Sequence, residues 1–276
     1  MSDVAQSFAL QSELRQIANL VLLFGFVLTL AGEWLLPPPG TRWDRARFVH
    51  GAHNLALWLI GVVFVSIVFG STVWALLQWL QMRGVGVLYF APLPGWLHAV
   101  LAFALLDAAD YVFHRLSHNL RWLWLMHAVH HSDPRVDATT NLRQHPLHLV
   151  LTQSWKIAAC AAIGVPAWVY LVHEILNLAF AYWHHAAIRW PRVLDRALSW
   201  LVVTPRLHWN HHSPVQERTN SNYGVILSCW DRAFATLTPP AEEPAQFGLA
   251  ALAAPRWHSA FGMLATPWRA RSLPRL

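Results

Sequence analysis

Residues 96–131 read WLHAVLAFALLDAADYVFHRLSHNLRWLWLMHAVHH. The stretch from Trp96 to Phe113 is an apolar run that passes directly into His114-Arg-Leu-Ser-His118 and then His127-Ala-Val-His130-His131. On a helix, positions i and i+4 share a face, as do i and i+3. The spacing therefore predicts a lipid-compatible helix whose end, with the segment after it, aims several imidazoles at common points.

Working outward, the same alternation of apolar runs and breaks continues in both directions. Ile17 to Leu36 is a first run, about 30 Å long as a helix, stopped by Pro37-Pro38-Pro39-Gly40. A short loop with Arg42, Arg45 and Arg47 follows, then a second run from Ala52 to Leu80. Arg83, Gly84, Gly86, Pro92 and Pro94 break the chain before Trp96. Leu147 to Tyr182 is apolar but divided by Gly164 and Pro166, which predicts a helical hairpin or two tilted helices returning to one side. After Trp183 the chain is polar and aromatic, and the part beyond Pro239-Pro240 reads as a peripheral tail. The expected architecture is an all-α, multi-pass integral membrane protein. Transmembrane helices occupy 1–94, a histidine-bearing unit with a membrane hairpin occupies 95–238, and a peripheral tail occupies 239–276.

Composition agrees. Of 276 residues, 55% are hydrophobic and 12% charged, against roughly a quarter charged in soluble domains. The net charge of +6 does not indicate nucleic acid: Lys156 is the single lysine, and the arginines are scattered among Trp and Leu. They read as membrane-face anchors beside an interfacial tryptophan belt. Arg115, Arg121, Arg135, Arg143, Arg189, Arg192, Arg196, Arg206, Arg218 and Arg232 all fall in the polar segments 114–145 and 183–235. The positive-inside tendency places that face in the cytoplasm, and the 42–47 loop with it, leaving the N-terminus outside. The N-terminus shows no basic n-region or clear cleavage site, so no removable signal peptide is expected. Cys160 and Cys229 form no CxxC, which excludes a disulfide framework and a Cys-held cluster.

Histidine decides the chemistry. A third group, His208-Trp-Asn-His211-His212, joins the two already quoted, within a total of 17 histidines. Imidazole is a ligand for Fe, Zn, Cu and Ni. Eight or nine such nitrogens exceed the four that one zinc-type ion takes, so two ions are expected. His185, at the exit of the hairpin, reaches the same side and joins the candidate ligands. His145, at its start, is a possible ligand or a support. Asp107 and Asp110 lie on the stripe of His114 and His118, where a carboxylate accepts the second N–H of a metal-bound histidine. His148 and His184 are expected to be hydrogen-bonded or interfacial. His50, His53, His98, His173 and His258 lack cluster partners and read as structural. His173-Glu174 starts like HExxH, but Asn177 stands where the second histidine belongs, so a zincin is excluded.

These motifs, taken in order, resemble the fatty acid hydroxylase superfamily in its sterol desaturase-like branch. Asp110-Tyr111 through His118 resembles the first histidine box, and His127 to His131 the second. Arg143-Gln144-His145-Pro146-Leu147 is similar to the RxHP segment before the family's membrane hairpin. His185-Ala186-Ala187-Ile188 resembles H-[SA]-N-[IL], with Ala187 in place of Asn. Thr204-Pro205-Arg206 through His212 resembles the third box, and Asn222-Tyr223-Gly224 and Trp230-Asp231-Arg232 the closing NYG and WDR elements. The resemblance covers about 95–238 and marks that unit as the catalytic domain. It implies two iron ions, O2 as co-substrate, and hydroxylation or desaturation of a fatty acyl, sterol or related lipid. The ligands it implies are His114, His118, His127, His130, His131, His185, His208, His211 and His212.

Such chemistry needs electrons from outside. Gly84-Val-Gly86 is followed by Tyr89 and is no dinucleotide fingerprint. A separate ferredoxin, cytochrome or reductase is therefore expected as partner. Two other classes remain open: a histidine-rich membrane metal-binding or transport protein without catalysis, and a zinc-dependent lipid hydrolase. The first would line a path across the bilayer with histidine, and the second would need a carboxylate base beside the metal.

Overall fold

The computed structural model describes residues 2–38, 41–70, 72–188, 190–240 and 246–269. Pro39, Gly40, Arg189 and parts of the tail (241–245, 270–276) lie outside the described residues.

Helix α1 (Ser2–Leu35) runs up to the proline cluster. Asp44 then starts α2 (Arg45–Phe69), its carboxylate accepting the Arg47 N–H at 2.9 Å. The second apolar run, expected as one piece, is two helices. Gly70 takes the left-handed φ of +53° and ends α2, and α3 (Thr72–Met82) follows. Beyond Pro94, α4 (Gly95–Asn119) is one continuous helix that carries the apolar run and the first two histidines together. Leu120, in extended conformation, is the single residue between it and α5 (Arg121–His131).

The hairpin is present. Helix α6 (Pro146–Ile163) ends at Gly164, whose φ of +88° makes a left-handed cap. Pro166 then precedes α7 (Ala167–His185). A Cβ at Gly164 would sit 2.9 Å from the Tyr89 ring and 3.2 Å from the Val85 carbonyl, so only glycine fits. Short helices α8 (Arg192–Leu198), α9 (Pro205–His211), α10 (Gln216–Thr219) and α11 (Cys229–Ala233) cap one end, and α12 (Ala260–Arg269) packs on α5 and α2. Among the described residues there is no strand, only an isolated bridge between Val202 and Leu227.

Helices α2 and α4 are long and apolar enough to cross a membrane. Their outward faces leave large apolar side chains uncovered, such as Val63, Ile67 and Val100. An apolar surface of that extent is stable only against lipid or another apolar partner. Inside, α6 packs along α2 and α4, and α7 along α1 and α4. One core, with Leu77, Leu106 and Val165, fills the hairpin apex. At the opposite end Trp124, Ala128 and Leu252 form another. That second end also holds an ion network. Arg47 pairs with Glu33 (2.8 Å) and Asp137 (3.3 Å), and Arg135 with Asp44 (3.5 Å). The 42–47 loop thus shares an end with the histidines.

Candidate metal centre

Four helices deliver the histidines. The last turns of α4 carry His114 and His118. Helix α5 carries His127, His130 and His131. His185 ends α7, and α9 with its cap carries His208, His211 and His212. The rings form two groups. One holds His114, His118, His127, His131 and His211; the other holds His130, His185, His208 and His212. Within each, the ligating atoms lie within 4.8 Å of one another. The HxxHH spacing explains the partition. In each box the i and i+4 rings enter one group and the i+3 ring enters the other. His127 and His131 join the first group while His130 joins the second; His208 and His212 join the second while His211 joins the first. Each box therefore ties the two groups together.

The tautomers follow from fixed partners. A carbonyl only accepts, so a ring nitrogen beside it carries the proton. His114 Nδ1 donates to the Tyr223 carbonyl (2.9 Å) and His211 Nδ1 to that of Ser221 (2.7 Å). Their Nε2 atoms, left with lone pairs, face each other at 3.0 Å. The second group repeats this. His130 Nδ1 donates to Thr140 (3.2 Å) and His185 Nδ1 to Ala181 (2.7 Å), and their Nε2 atoms meet at 3.1 Å. The Gln144 amide also reaches His130 Nδ1 at 3.2 Å, and rotation lets it present oxygen there. Two lone pairs at this distance repel unless a cation lies between them. Both nitrogens of His118 are buried without a hydrogen-bond partner, and the Nε2 atoms of His127 and His131 (3.2 Å) and of His208 and His212 (3.1 Å) likewise face each other. A metal ion in each group fits these donor sets.

Protonation is suppressed accordingly. Burial first, and neighbouring imidazoles second, hold His127, His130, His131, His208 and His212 well below the ordinary histidine range. For His211 burial dominates, with His114 adding to it. The rings are neutral at physiological pH, as ligation requires.

Loops far along the chain set the ring partners. Asp231 accepts the N–H groups of Tyr223 and Gly224, each at 2.8 Å, so it fixes the Tyr223 carbonyl that His114 uses. A Cβ at Gly224 would meet Asp231 Oδ2 at 2.9 Å, which accounts for the glycine. Asn222, at φ +53°, binds the Leu207 and Thr238 carbonyls. Arg143 is fully buried and clamps the end of α5 through the Val129 carbonyl (2.8 Å) and Ser132 (2.8 Å).

Three supports expected from the sequence sit elsewhere. Asp107 accepts from Trp230 Nε1 (2.8 Å) and the N–H groups of Leu227 and Ile226, so it steadies a loop and touches no ring of either group. Asp110 binds Lys156 (3.1 Å) and Asn177 (2.9 Å) instead of His114, whose Nδ1 is taken by a backbone carbonyl. His145 caps α6 through Leu147 N and faces the Leu264 carbonyl (3.2 Å), outside both groups. As expected, His148 is hydrogen-bonded, to Ser117 at 3.1 Å, and it stacks on His127. The His184 ring lies tilted against that of His208, with centroids 4.0 Å apart.

Glu33 went unnoticed in the sequence. Its carboxylate receives Ala138 N (2.7 Å) and Ala187 N (2.9 Å), joining α1 to the turn after α5 and to the residues after His185. The signal was a lone acid at the end of an apolar run, which is costly without a partner.

A cavity of about 400 Å³ lies between α2, α4, α6 and α7. It touches His114 and His127 of one group and His130, His185 and His208 of the other. Trp58, Val62, Phe113 and Leu149 line it, but so do Asp110, Lys156 and Glu174. These charged residues are spread over three helices and meet only in the fold.

No solved structure matches the chain. Among curated proteins, it is 35% identical over 147 residues to an alkylglycerol monooxygenase of Danio rerio, covering 52% of this chain and 31% of that protein. It is 30% identical over 214 residues to the Homo sapiens alkylglycerol monooxygenase, covering 76% of this chain and 44% of that one. An ornithine lipid hydroxylase of Rhizobium tropici is 28% identical over 151 residues, 54% of this chain and 45% of its own. The chain thus spans less than half the length of these relatives. The fatty acid hydroxylase family model matches residues 99–236, which contain all nine rings of the two groups. The chain belongs to the fatty acid hydroxylase family.

Proposed function

We propose that this chain is a multi-pass membrane di-iron oxygenase that uses O2 to hydroxylate, or in a variant outcome desaturate, a lipid. The observation that carries the reading is the pair of facing Nε2 lone pairs in each histidine group. Family membership and relatives named as lipid monooxygenases and hydroxylases support the choice of iron and of lipid. His114, His118, His127, His131 and His211 would hold one ion, and His130, His185, His208 and His212 the other. Bound iron would supply O2 reduction and C–H oxidation, which no side chain can perform.

The protein's own part is positional. Backbone carbonyls lock four rings in the Nδ1–H tautomer, and burial keeps the rings neutral and water away. The cavity lays a lipid chain beside both groups. The catalytic unit is the segment 95–238, its histidine end on the cytoplasmic face beneath the arginines. A separate ferredoxin, cytochrome or reductase docks there to deliver electrons. Hydrolysis is disfavoured, because Asp107 and Asp231 are committed to other partners and, among the described residues, no carboxylate belongs to either group. Lipid profiling of cells with and without the gene tests the reading. A lipid that gains one oxygen atom, or loses two hydrogens, is expected with the intact gene and absent with His130→Ala. An unchanged product in the variant removes His130 from the site.

A further inference from the structure

The inner wall of the cavity carries a charged cluster that metal binding does not use. Asp110, Lys156 and Glu174 line it, together with Gln153 and Asn177. Asp110 stands one turn from His114 on α4, about 5 Å along the axis. Lys156 lies two turns from His148 on α6. The cluster therefore sits deeper along the helices than the metal groups, at the far end of the same cavity. Lys156 contacts both carboxylates, reaching Asp110 at 3.1 Å and Glu174 more closely still. Buried charge among apolar helices is expensive and marks a functional group by default.

Asp110 is 5% exposed. Its Oδ2 is occupied by Lys156 and Asn177, while its Oδ1 is buried with no hydrogen-bond partner. A carboxylate oxygen left so is unfavourable, by roughly 1–3 kcal/mol or more, and a ligand carrying a donor relieves it. Charge narrows the ligand. Two carboxylates repel an anionic head, and Lys156, already between them, repels a second cation. The group that fits is neutral and donates a hydrogen bond.

We propose that Asp110 Oδ1, braced by Lys156 and Asn177, receives the hydroxyl of an uncharged lipid and sets which of its carbons lies beside the histidine groups. This rests on the reading of the cavity as a lipid site. Asp110 is a specificity-determining residue in this account: the hydroxyl donates to it and no bond to it forms or breaks.

The test is equilibrium binding of hexadecan-1-ol, hexadecyl methyl ether and hexadecanoate to iron-loaded protein in phosphatidylcholine nanodiscs, with iron content and lipid oxidation measured separately. The alcohol should bind about tenfold more tightly than the ether and the carboxylate, the worth of one charge-assisted hydrogen bond. In Asp110→Asn the Lys156 and Asn177 donors claim the amide oxygen, so the amide N–H faces the cavity and the preference shifts toward the ether. Equal affinity for the three lipids in the wild-type protein overturns the proposal without need of a variant. So does an unchanged preference in an Asp110→Asn protein that retains its iron. Oxidation without hydroxyl preference defeats this inference alone. Hydroxyl preference without metal-dependent oxidation defeats the proposed function instead.

Discussion

At the scale of single residues, His114 with His211 and His130 with His185 are held with their lone pairs facing at 3.0 and 3.1 Å. The geometry is unfavourable without a cation, so a bound metal would stabilise the fold. Burial keeps His127, His130, His131, His208, His211 and His212 neutral in the fold, below the unfolded value of about 6.5. A folded pKa below the unfolded one means that the unfolded chain gains protons first as pH falls. The stabilisation is therefore complete above about pH 6.5 and is lost below it. Metal-free protein should melt at a markedly lower temperature at pH 5.5 than at pH 7.5; equal melting temperatures would show that these rings are not buried and neutral. Asp231→Asn loses an acceptor for the Tyr223 and Gly224 N–H groups and loosens the carbonyl that orients His114. Metal affinity should fall about 10- to 100-fold, the usual effect of removing an outer partner, read by competition with a chelator.

The nine rings could be read from spacing, because i, i+3 and i+4 on a helix leave little choice of direction. Their Nδ1 partners could not. Four are backbone carbonyls, which have no residue signature, and the one that holds His114 belongs to Tyr223, 109 residues away. The aspartate stripe on α4 was a real stripe. Asp107 and Asp110 nevertheless lie further down the helix than the ring nitrogens, where Trp230 and Lys156 reach them first.

At the scale of elements, the two HxxHH boxes act as cross-ties. Each helix serves both groups, so displacing α5 or α9 disturbs both together. Arg143 fixes the end of α5 and Glu33 the turn after it, and neither role follows from local sequence. The hairpin was legible because Gly164 and Pro166 break an apolar run. The split of the second run at Gly70 was not, because a lone glycine inside an apolar stretch is compatible with continued helix. Gly164→Ala forces a side chain into a left-handed position against Tyr89 and Val85. Its carbonyl also receives His98 of α4 at 2.8 Å. The variant should lose roughly 1–2 kcal/mol of stability or more, measured by denaturant unfolding in detergent. Metal content of the folded fraction should be unchanged, because the apex lies at the opposite end of α6 and α7 from the histidines.

At the scale of the whole molecule, the all-helical bundle keeps apolar faces outward and polar chemistry at one end. That arrangement was legible from composition and run lengths. The charged wall of the cavity was not, since it exists only where α4, α6 and α7 meet. The proposed function requires that the two histidine groups hold iron for O2-dependent oxidation of a lipid. The most direct test supplies isotopically heavy O2 and electrons to purified, iron-reconstituted protein in lipid nanodiscs, and measures bound iron and lipid mass together. Two iron ions per chain are expected, with a lipid product carrying heavy oxygen, or an alkene formed only when O2 is present. Protein that retains zinc, rejects iron and hydrolyses lipid esters equally well without O2 would contradict it.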